Sequence, residues 1–183
     1  MKKFAILTVG LCLMLFAFIG YQHPTKHAID PAKLMEFNSA KEVIDNSALI
    51  VKVRKISEKP VAYDLGNGGS DRLTLTEVEI EKVIKPMEGK VLNNGDKITI
   101  VEAEYADSKT GIIHHIENYM KMVTNKKYTL YLGYNKEVDN YYVVGLLYGK
   151  IPEDTKEKLF YGDMSIKKIN EVISDFKKKE VSE

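Results

Sequence analysis

Cysteine, tryptophan and a charge excess are all scarce or missing in this sequence. Its 183 residues include one cysteine and no tryptophan, and 27 basic residues nearly balance 26 acidic ones to give a formal net charge of +1. A single cysteine excludes an internal disulfide and any zinc or iron–sulfur site that needs several cysteines. The near-neutral balance argues against a nucleic-acid-binding domain, which usually carries a strong basic excess.

Several catalytic motifs are missing as well. No Gly-x-Ser-x-Gly elbow surrounds a serine, and the glycine-rich stretch at 66–69 is not followed by the Gly-Lys-Ser/Thr of a phosphate-binding loop. Cys12 directly follows a leucine within an apolar run, and this favours packing in a membrane helix over lipid attachment. Because the sequence has no other cysteine, no cysteine nucleophile is available outside this run. We therefore predict no catalytic residue and no cofactor, and expect a protein that is not an enzyme.

The first twenty residues have the pattern of an export signal. Two lysines directly after the first methionine precede an uncharged apolar run over residues 4–19. A positive start followed by such a run predicts that residues 1–20 form an apolar helix, either a signal peptide or an N-terminal membrane anchor. Gly20 would suit a cleavage site, but the bulky Phe18 two positions earlier does not, so both alternatives stay open.

The rest of the chain divides into a spacer and one domain. Residues 21–37 carry Pro24 and Pro31 among polar residues without a sustained period, as in a stem that follows an anchor. Residues 38–183 have the length and composition of a single globular domain. We expect this domain to be secreted or held at the extracytoplasmic face of the cell membrane. Because it has no cysteine, its stability must come from its core.

Two helices are predicted at the ends of the domain. Ser39 and Glu42 form a capping box that predicts a short helix ending near residues 45–47. A longer amphipathic helix, capped by Asp163 or Ser165, closes the chain. The apolar stripe of this helix consists of Ile166, Ile169, Val172, Ile173 and Phe176.

Period-two alternation marks strands between these helices, as where Leu49, Val51 and Val53 share one face. The last predicted strand is instead an almost continuously apolar run, which is typical of a strand covered on both faces. The predicted strands cover residues 49–56, 73–85, 97–103, 112–116, 127–134 and 141–148. Five of them are main strands, and the segment at 112–116 is a short additional one. This succession predicts a mainly β (α+β) domain, a small OB-like β-barrel with flanking helices, and disfavours a βαβ fold.

Segments within residues 39–150 also form a recognisable set. They are Ala48-Leu49-Ile50-Val51-Lys52-Val53, Thr76 to Lys85, Gly95-Asp96-Lys97-Ile98-Thr99-Ile100, Lys126 to Leu132, and Tyr142-Val143-Val144-Gly145. Their succession resembles that of small exported or lipoprotein-like proteins of Gram-positive bacteria, which are similar in outline to TIMP/netrin-like OB barrels. The resemblance implies the same barrel without the disulfides of true TIMP and netrin modules, and it implies no functional residue.

Tyrosine is abundant, with eleven residues. Tyr131, Tyr141, Tyr142 and Tyr148 fall on the last two predicted strands, where they would line a groove on a barrel face. Aromatic faces of OB-type barrels bind sugars, single strands or peptides. Packing in the core and at the rim is the alternative for the same four side chains.

Histidines and glutamates offer a second candidate site. His114 and His115 are adjacent, so on a strand they point to opposite faces and cannot chelate one ion together. His115 and Glu117 would share a face. Glu102 or Glu104, on a neighbouring strand, would complete a His/carboxylate set suited to zinc. Exposed polar residues near a loop explain the same pattern without a metal.

The sequence favours a non-enzymatic binding domain at the bacterial cell envelope. Its partner would be an unknown protein, peptide or glycan, and an uncleaved segment at 4–20 would add the membrane. Two alternatives stay open. One is a metal-dependent enzyme or hydrolase that uses His114, His115 and nearby glutamates, and the other is a structural component of a membrane complex.

Overall fold

A computed structural model describes residues 26–64, 70–162 and 167–180 of the chain. Strands dominate these residues, so the prediction of a mainly β protein is confirmed. Three features of the sequence lie outside the described residues: the predicted apolar helix over residues 1–20, the glycine-rich stretch at 66–69, and both predicted caps of the last helix. Within the described ranges, no helix is both long and apolar enough to cross a membrane.

Each predicted strand corresponds to an observed one, although the bounds differ. The strands are β1 (Lys26–Asp30), β2 (Leu49–Asp64), β3 (Ser70–Lys85), β4 (Lys97–Glu102), β5 (Glu104–Ala106), β6 (Ile112–Ile116), β7 (Lys127–Asn135), β8 (Asn140–Val143) and β9 (Lys150–Pro152). The helices are α1 (Ala40–Asp45) and α2 (Lys167–Glu180). Sequence patterns thus located β2, β3, β4, β6, β7 and β8 and missed β1, β5 and β9.

Five strands form a closed ring in the order β2-β3-β4-β8-β7, because β7 pairs back with β2. Neighbours in the ring are antiparallel, except that β4 and β8 run parallel, with Ile100 opposite Tyr141. β9 pairs with β7 on the side that β8 also uses. Alternate side chains of each strand therefore face the inside of the ring.

The inside of the ring is an apolar core. Leu49, Val51 and Val53 alternate inward from β2 as predicted, and all three are fully buried. The other strands add Val78, Ile80, Ile98, Ile100, Tyr128, Leu130, Leu132, Tyr141 and Val143 to the same cluster. Met122, from the segment between β6 and β7, also packs into this cluster.

A smaller sheet and two helices lie outside the ring. The sheet has the order β1-β6-β5, with β1 parallel and β5 antiparallel to β6. A second apolar core joins the outer face of the ring to the helices, through Val43 of α1 and Val172 and Phe176 of α2. The ring of Tyr131, on β7, lies 4.4 Å from that of Phe176, centroid to centroid.

The predicted stem over residues 21–37 is partly folded into the domain. β1 pairs with β6 along its whole length, and Phe37 is buried in the second core. The parallel partner of β1 lies far away in the sequence, so no local pattern indicated the pairing.

The strand predicted over residues 141–148 is shorter than expected. β8 ends at Val143, and Gly145 and Leu146 take left-handed φ angles of 64° and 58°. A Cβ on Gly145 would lie 2.5 Å from the Phe37 ring, so both the backbone angle and the available space require glycine there. The resulting turn leads the chain into β9.

Both predicted helices are present. The Ser39 hydroxyl accepts a hydrogen bond from the Glu42 N–H at 3.3 Å, while the Glu42 carboxylate accepts one from the Asn38 N–H at 2.8 Å. This variant of the capping box begins α1, and Asn46 ends it. The described members of the predicted α2 stripe are all buried: Ile169, Val172, Ile173 and Phe176.

Candidate functional site

A layer of buried polar side chains lies at one end of the ring interior. We call it the polar layer, and it consists of Lys55, Thr76, Glu102, Tyr119 and Lys150, each at most 3% exposed. Lys55, Thr76 and Glu102 continue the inward-facing positions of β2, β3 and β4 beyond the apolar residues. Charged groups this deeply buried need partners, because unpaired burial costs several kcal/mol.

Glu102 is the centre of the polar layer. One of its carboxylate oxygens accepts hydrogen bonds from the Tyr119 hydroxyl at 2.8 Å and the Met122 N–H at 2.7 Å. The other accepts one from the Thr76 hydroxyl at 2.5 Å and lies 3.5 Å from Lys55 Nζ. Every oxygen of this carboxylate is thus engaged, and the segment at 119–122 is fixed to the end of β4.

Lys55 is fully buried and is held from three sides. Its Nζ donates to the Met122 carbonyl at 2.6 Å, to the Glu58 carboxylate, and weakly to Glu102. Lys121 contacts the second oxygen of Glu58 at 2.5 Å, and the two lysines together lower the pKa of that carboxyl against the opposing effect of burial. The cation is therefore compensated by two carboxylates.

Lys150 and Tyr119 form the remaining part of the polar layer. Lys150 Nζ donates to the Met120 carbonyl and lies 3.9 Å from the centre of the Tyr119 ring, a cation–π contact. Burial lowers the pKa of Lys150 to about 8, although Glu102 and other nearby carboxylates oppose the shift. Burial, together with Glu102, raises the pKa of Tyr119, so this hydroxyl remains a hydrogen-bond donor.

Two imidazoles lie beside the polar layer, and we call His27 and His115 the histidine pair. His115 is 1% exposed, whereas His27 is exposed on the edge strand β1. Nδ1 of His27 lies 2.8 Å from Nε2 of His115. The Tyr161 ring stacks on both, with centroids 4.4 Å from His27 and 4.2 Å from His115.

The other nitrogen of His115 fixes its tautomer. Nδ1 lies 3.0 Å from the Tyr119 carbonyl oxygen and 3.1 Å from a carboxylate oxygen of Glu104, which is opposite His115 in the β5–β6 pairing. Both groups are acceptors, so we assign the proton of a neutral His115 to Nδ1. Nε2 then accepts the Nδ1–H of His27.

The predicted metal set of His115, Glu117 and Glu102 is not brought together. β6 ends at Ile116, and Glu117 has a left-handed φ of 49°, so it does not continue the face of His115. Its carboxylate instead accepts the Ala32 N–H at 2.5 Å. Across the described part of the chain, no group of three or more His, Cys, Asp or Glu side chains is placed to hold a metal ion.

The four tyrosines predicted to bind a ligand do not share one open face. Tyr131 and Tyr148 are buried in the second core, and Tyr141 is buried inside the ring. Tyr142 is 48% exposed, and its ring lies against Gly133, where a Cβ would meet it at 2.2 Å. Tyr142 therefore covers a glycine on the paired strand, and core or rim packing accounts for the four residues.

A cleft of about 250 Å³ opens between the long β2–β3 hairpin and the turn after β5, and we call it the hairpin cleft. Its walls include Pro60, Ala62, Arg72, Tyr105 and Asp107. Arg72 and Asp107 form an ion pair at 2.8 Å, with side chains 31% and 13% exposed. The Lys109 N–H, and then Arg72, lower the pKa of Asp107, so its carboxylate is ionised at neutral pH.

Sequence reasoning missed most of these residues, although one signal was present. Lys55 follows Leu49, Val51 and Val53 at the same period-two spacing, so its position on the buried face was readable. Glu104 was named only as an alternative ligand, and Lys150 lies on a strand that alternation did not reveal. No protein-family model and no curated protein matches the chain.

Proposed function

We propose that this protein is an exported, non-enzymatic binding domain of the bacterial cell envelope, built on an OB-type barrel. We further propose that it binds a peptide segment of a partner protein in the hairpin cleft. The observation that carries the proposal is the cleft itself. It offers an open volume of about 250 Å³ with apolar walls and a partly exposed ion pair. Concave sites with few polar groups are the usual form of a binding site.

The strand order supports the OB-type barrel. A five-stranded ring with the order β2-β3-β4-β8-β7, one parallel neighbour pair and a closing β7–β2 pairing has the strand count and Greek-key character of that fold. Export rests on the N-terminal pattern of Lys2 and Lys3 before an apolar run.

The hydrogen bonds of the polar layer support a role other than catalysis. Both oxygens of Glu102 and both nitrogens of His115 are engaged by neighbouring groups, so these side chains stabilise the structure. A peptide suits the hairpin cleft better than a glycan, because the cleft is lined by basic and acidic side chains, Arg72, Lys109 and Asp107, which pair with peptide side chains of either sign. Glycan sites are favoured by open aromatic faces, and three of the four candidate tyrosines are buried.

Blocking the cleft tests the proposal. Ala62→Trp places a large side chain in the cleft wall, while Ala32→Trp adds the same bulk at another exposed position. After cross-linking in membranes, we expect the wild type and Ala32→Trp to recover the same partner protein and Ala62→Trp to lose it. Equal recovery by all three chains would contradict binding in the hairpin cleft.

A further inference from the structure

The histidine pair fastens the first described strand to the domain. β1 is an edge strand whose backbone pairs with β6, and its side chains make two further contacts with that strand. His27 contacts His115 on one face, and Asp30 lies 2.9 Å from Nδ1 of His114 on the other. Both contacts involve an imidazole, whose charge changes between about pH 5 and 8.

The contact between two imidazoles depends on the number of protons they hold. A hydrogen bond needs an N–H on one ring and a lone pair on the other. With one added proton, a single N–H still lies between the rings, and Glu104 balances the charge from 3.1 Å. With two added protons, both facing nitrogens carry hydrogen at a separation of 2.8 Å. The hydrogen bond is then lost, and two cations repel each other.

We propose that the histidine pair is a pH-sensitive latch, which holds β1 on β6 at neutral pH and releases β1 when both rings become protonated in acid. The site is suited to this role because one ring is buried and the other exposed. His115 remains fixed by Tyr119 and Glu104, whereas His27 can move away with its strand.

The charges around the latch determine its direction. Glu104 is the carboxylate that faces His115, and Lys121 Nζ lies 3.8 Å from its other oxygen, so this carboxylate is shared between the imidazole and an ammonium group. Lys26 precedes His27 on β1 and adds a further positive charge. The Tyr161 ring stacks on both imidazoles.

The opposite face of β1 responds to acid in the other sense. Protonation of His114 strengthens its contact with Asp30, and Tyr105 stacks on His114 with centroids 4.6 Å apart. The Glu117 N–H also donates to the Asp30 carbonyl at 2.9 Å. Release therefore begins at the His27 end of β1. Complete release of β1 would free five residues, which correspond to about 17 Å of extended chain.

Hydrogen exchange of the full-length chain in detergent micelles, measured by mass spectrometry at pH 7.5 and pH 5.0, tests the latch. After correction for intrinsic exchange rates, we expect the protection of the amides in Lys26–Asp30 to fall at least about tenfold at pH 5.0. The amides of β7 should keep their protection. A parallel loss in β7 would mean general acid unfolding and would overturn the proposal, as would unchanged protection of β1.

Two matched variants locate the effect. His27→Gln keeps a group that donates to or accepts from His115 but takes up no proton, so the acid-dependent loss should fall below about twofold. His114→Gln makes the same change on the other face and should retain the full loss. An undiminished loss in His27→Gln contradicts the latch. In the wild type, the NMR shifts of the ring nitrogens should show both imidazoles doubly protonated at the pH at which β1 is released. Release of β1 while His27 is still neutral would also contradict the latch.

Discussion

The apolar core of the ring and the polar layer at its end occupy the same interior but differ in chemistry. Leu49, Val51 and Val53 fill the middle of the ring with aliphatic groups, and two residues further on Lys55 is just as deeply buried. The aliphatic groups are held by non-directional burial, whereas Lys55 and Glu102 are held by hydrogen bonds of defined geometry. One strand thus carries both kinds of stabilisation along a single face.

The difference shows what each part specifies. An apolar core tolerates exchange among side chains of similar volume, so it favours the ring without fixing every contact. A buried charge is costly unless its partners are in place, so the polar layer selects one position for the segment at 119–122. The apolar core therefore stabilises the ring without fixing every contact, whereas the polar layer fixes the segment at 119–122 against the end of the ring.

The largest expected effect comes from removing the centre of the polar layer. Glu102→Leu leaves the buried Lys55 cation with Glu58 alone and removes the acceptor of Tyr119 and Met122. We expect a loss of about 4 kcal/mol in the free energy of unfolding, measured by chemical denaturation. Glu77→Leu, at a 41% exposed carboxylate on β3, is the control, and its effect should stay within about 0.5 kcal/mol. Similar losses for the two variants would contradict the polar layer.

A truncation in the apolar core should cost slightly less. Leu130→Ala removes a fully buried side chain inside the ring and leaves a cavity, for an expected loss of about 3 kcal/mol. Denaturation curves of this variant and of Val91→Ala, at a position that is 85% exposed, make the comparison. If the two variants unfold at the same denaturant concentration, Leu130 does not lie in a packed core.

The pH dependence of stability distinguishes Lys150 from the apolar residues around it. Its pKa of about 8 in the folded protein lies below the ordinary 10.5, so between these values the unfolded chain binds a proton that the folded one does not. The wild type should therefore gain stability as pH rises, relative to Lys150→Met, by about 2 kcal/mol from pH 8 to pH 10. Parallel pH profiles for the two proteins would show that Lys150 is not buried as a cation.

The smallest effect is expected at the edge of the second core. Ser39→Ala removes the hydroxyl that caps α1 and should reduce the free energy of unfolding by about 1 kcal/mol. Ser39→Asn restores a cap and should recover most of the loss. A Ser39→Ala protein with unchanged stability would show that α1 is held by Val43 and its neighbours alone.

Much of the ring was readable from sequence, because alternation depends only on neighbouring residues. Leu49 to Val53 and Thr76 to Ile80 have the faces that their spacing indicates. Pairing across long sequence separations has no such local signal, and β1 was for this reason assigned to a stem. The burial of Lys55 was not predicted, because its carboxylate partner Glu102 comes from another strand and leaves no signal near Lys55 in the sequence.

A double-mutant cycle between Lys55 and Glu102 tests the central claim most directly, namely that buried opposite charges hold the end of the ring together. The free energy of unfolding is compared for the wild type, Lys55→Met, Glu102→Leu and the double variant. We predict a coupling of at least about 2 kcal/mol, with the double variant more stable than Glu102→Leu alone, because the double variant no longer buries the Lys55 cation without Glu102. Additive losses, with no coupling between the two positions, would contradict the account.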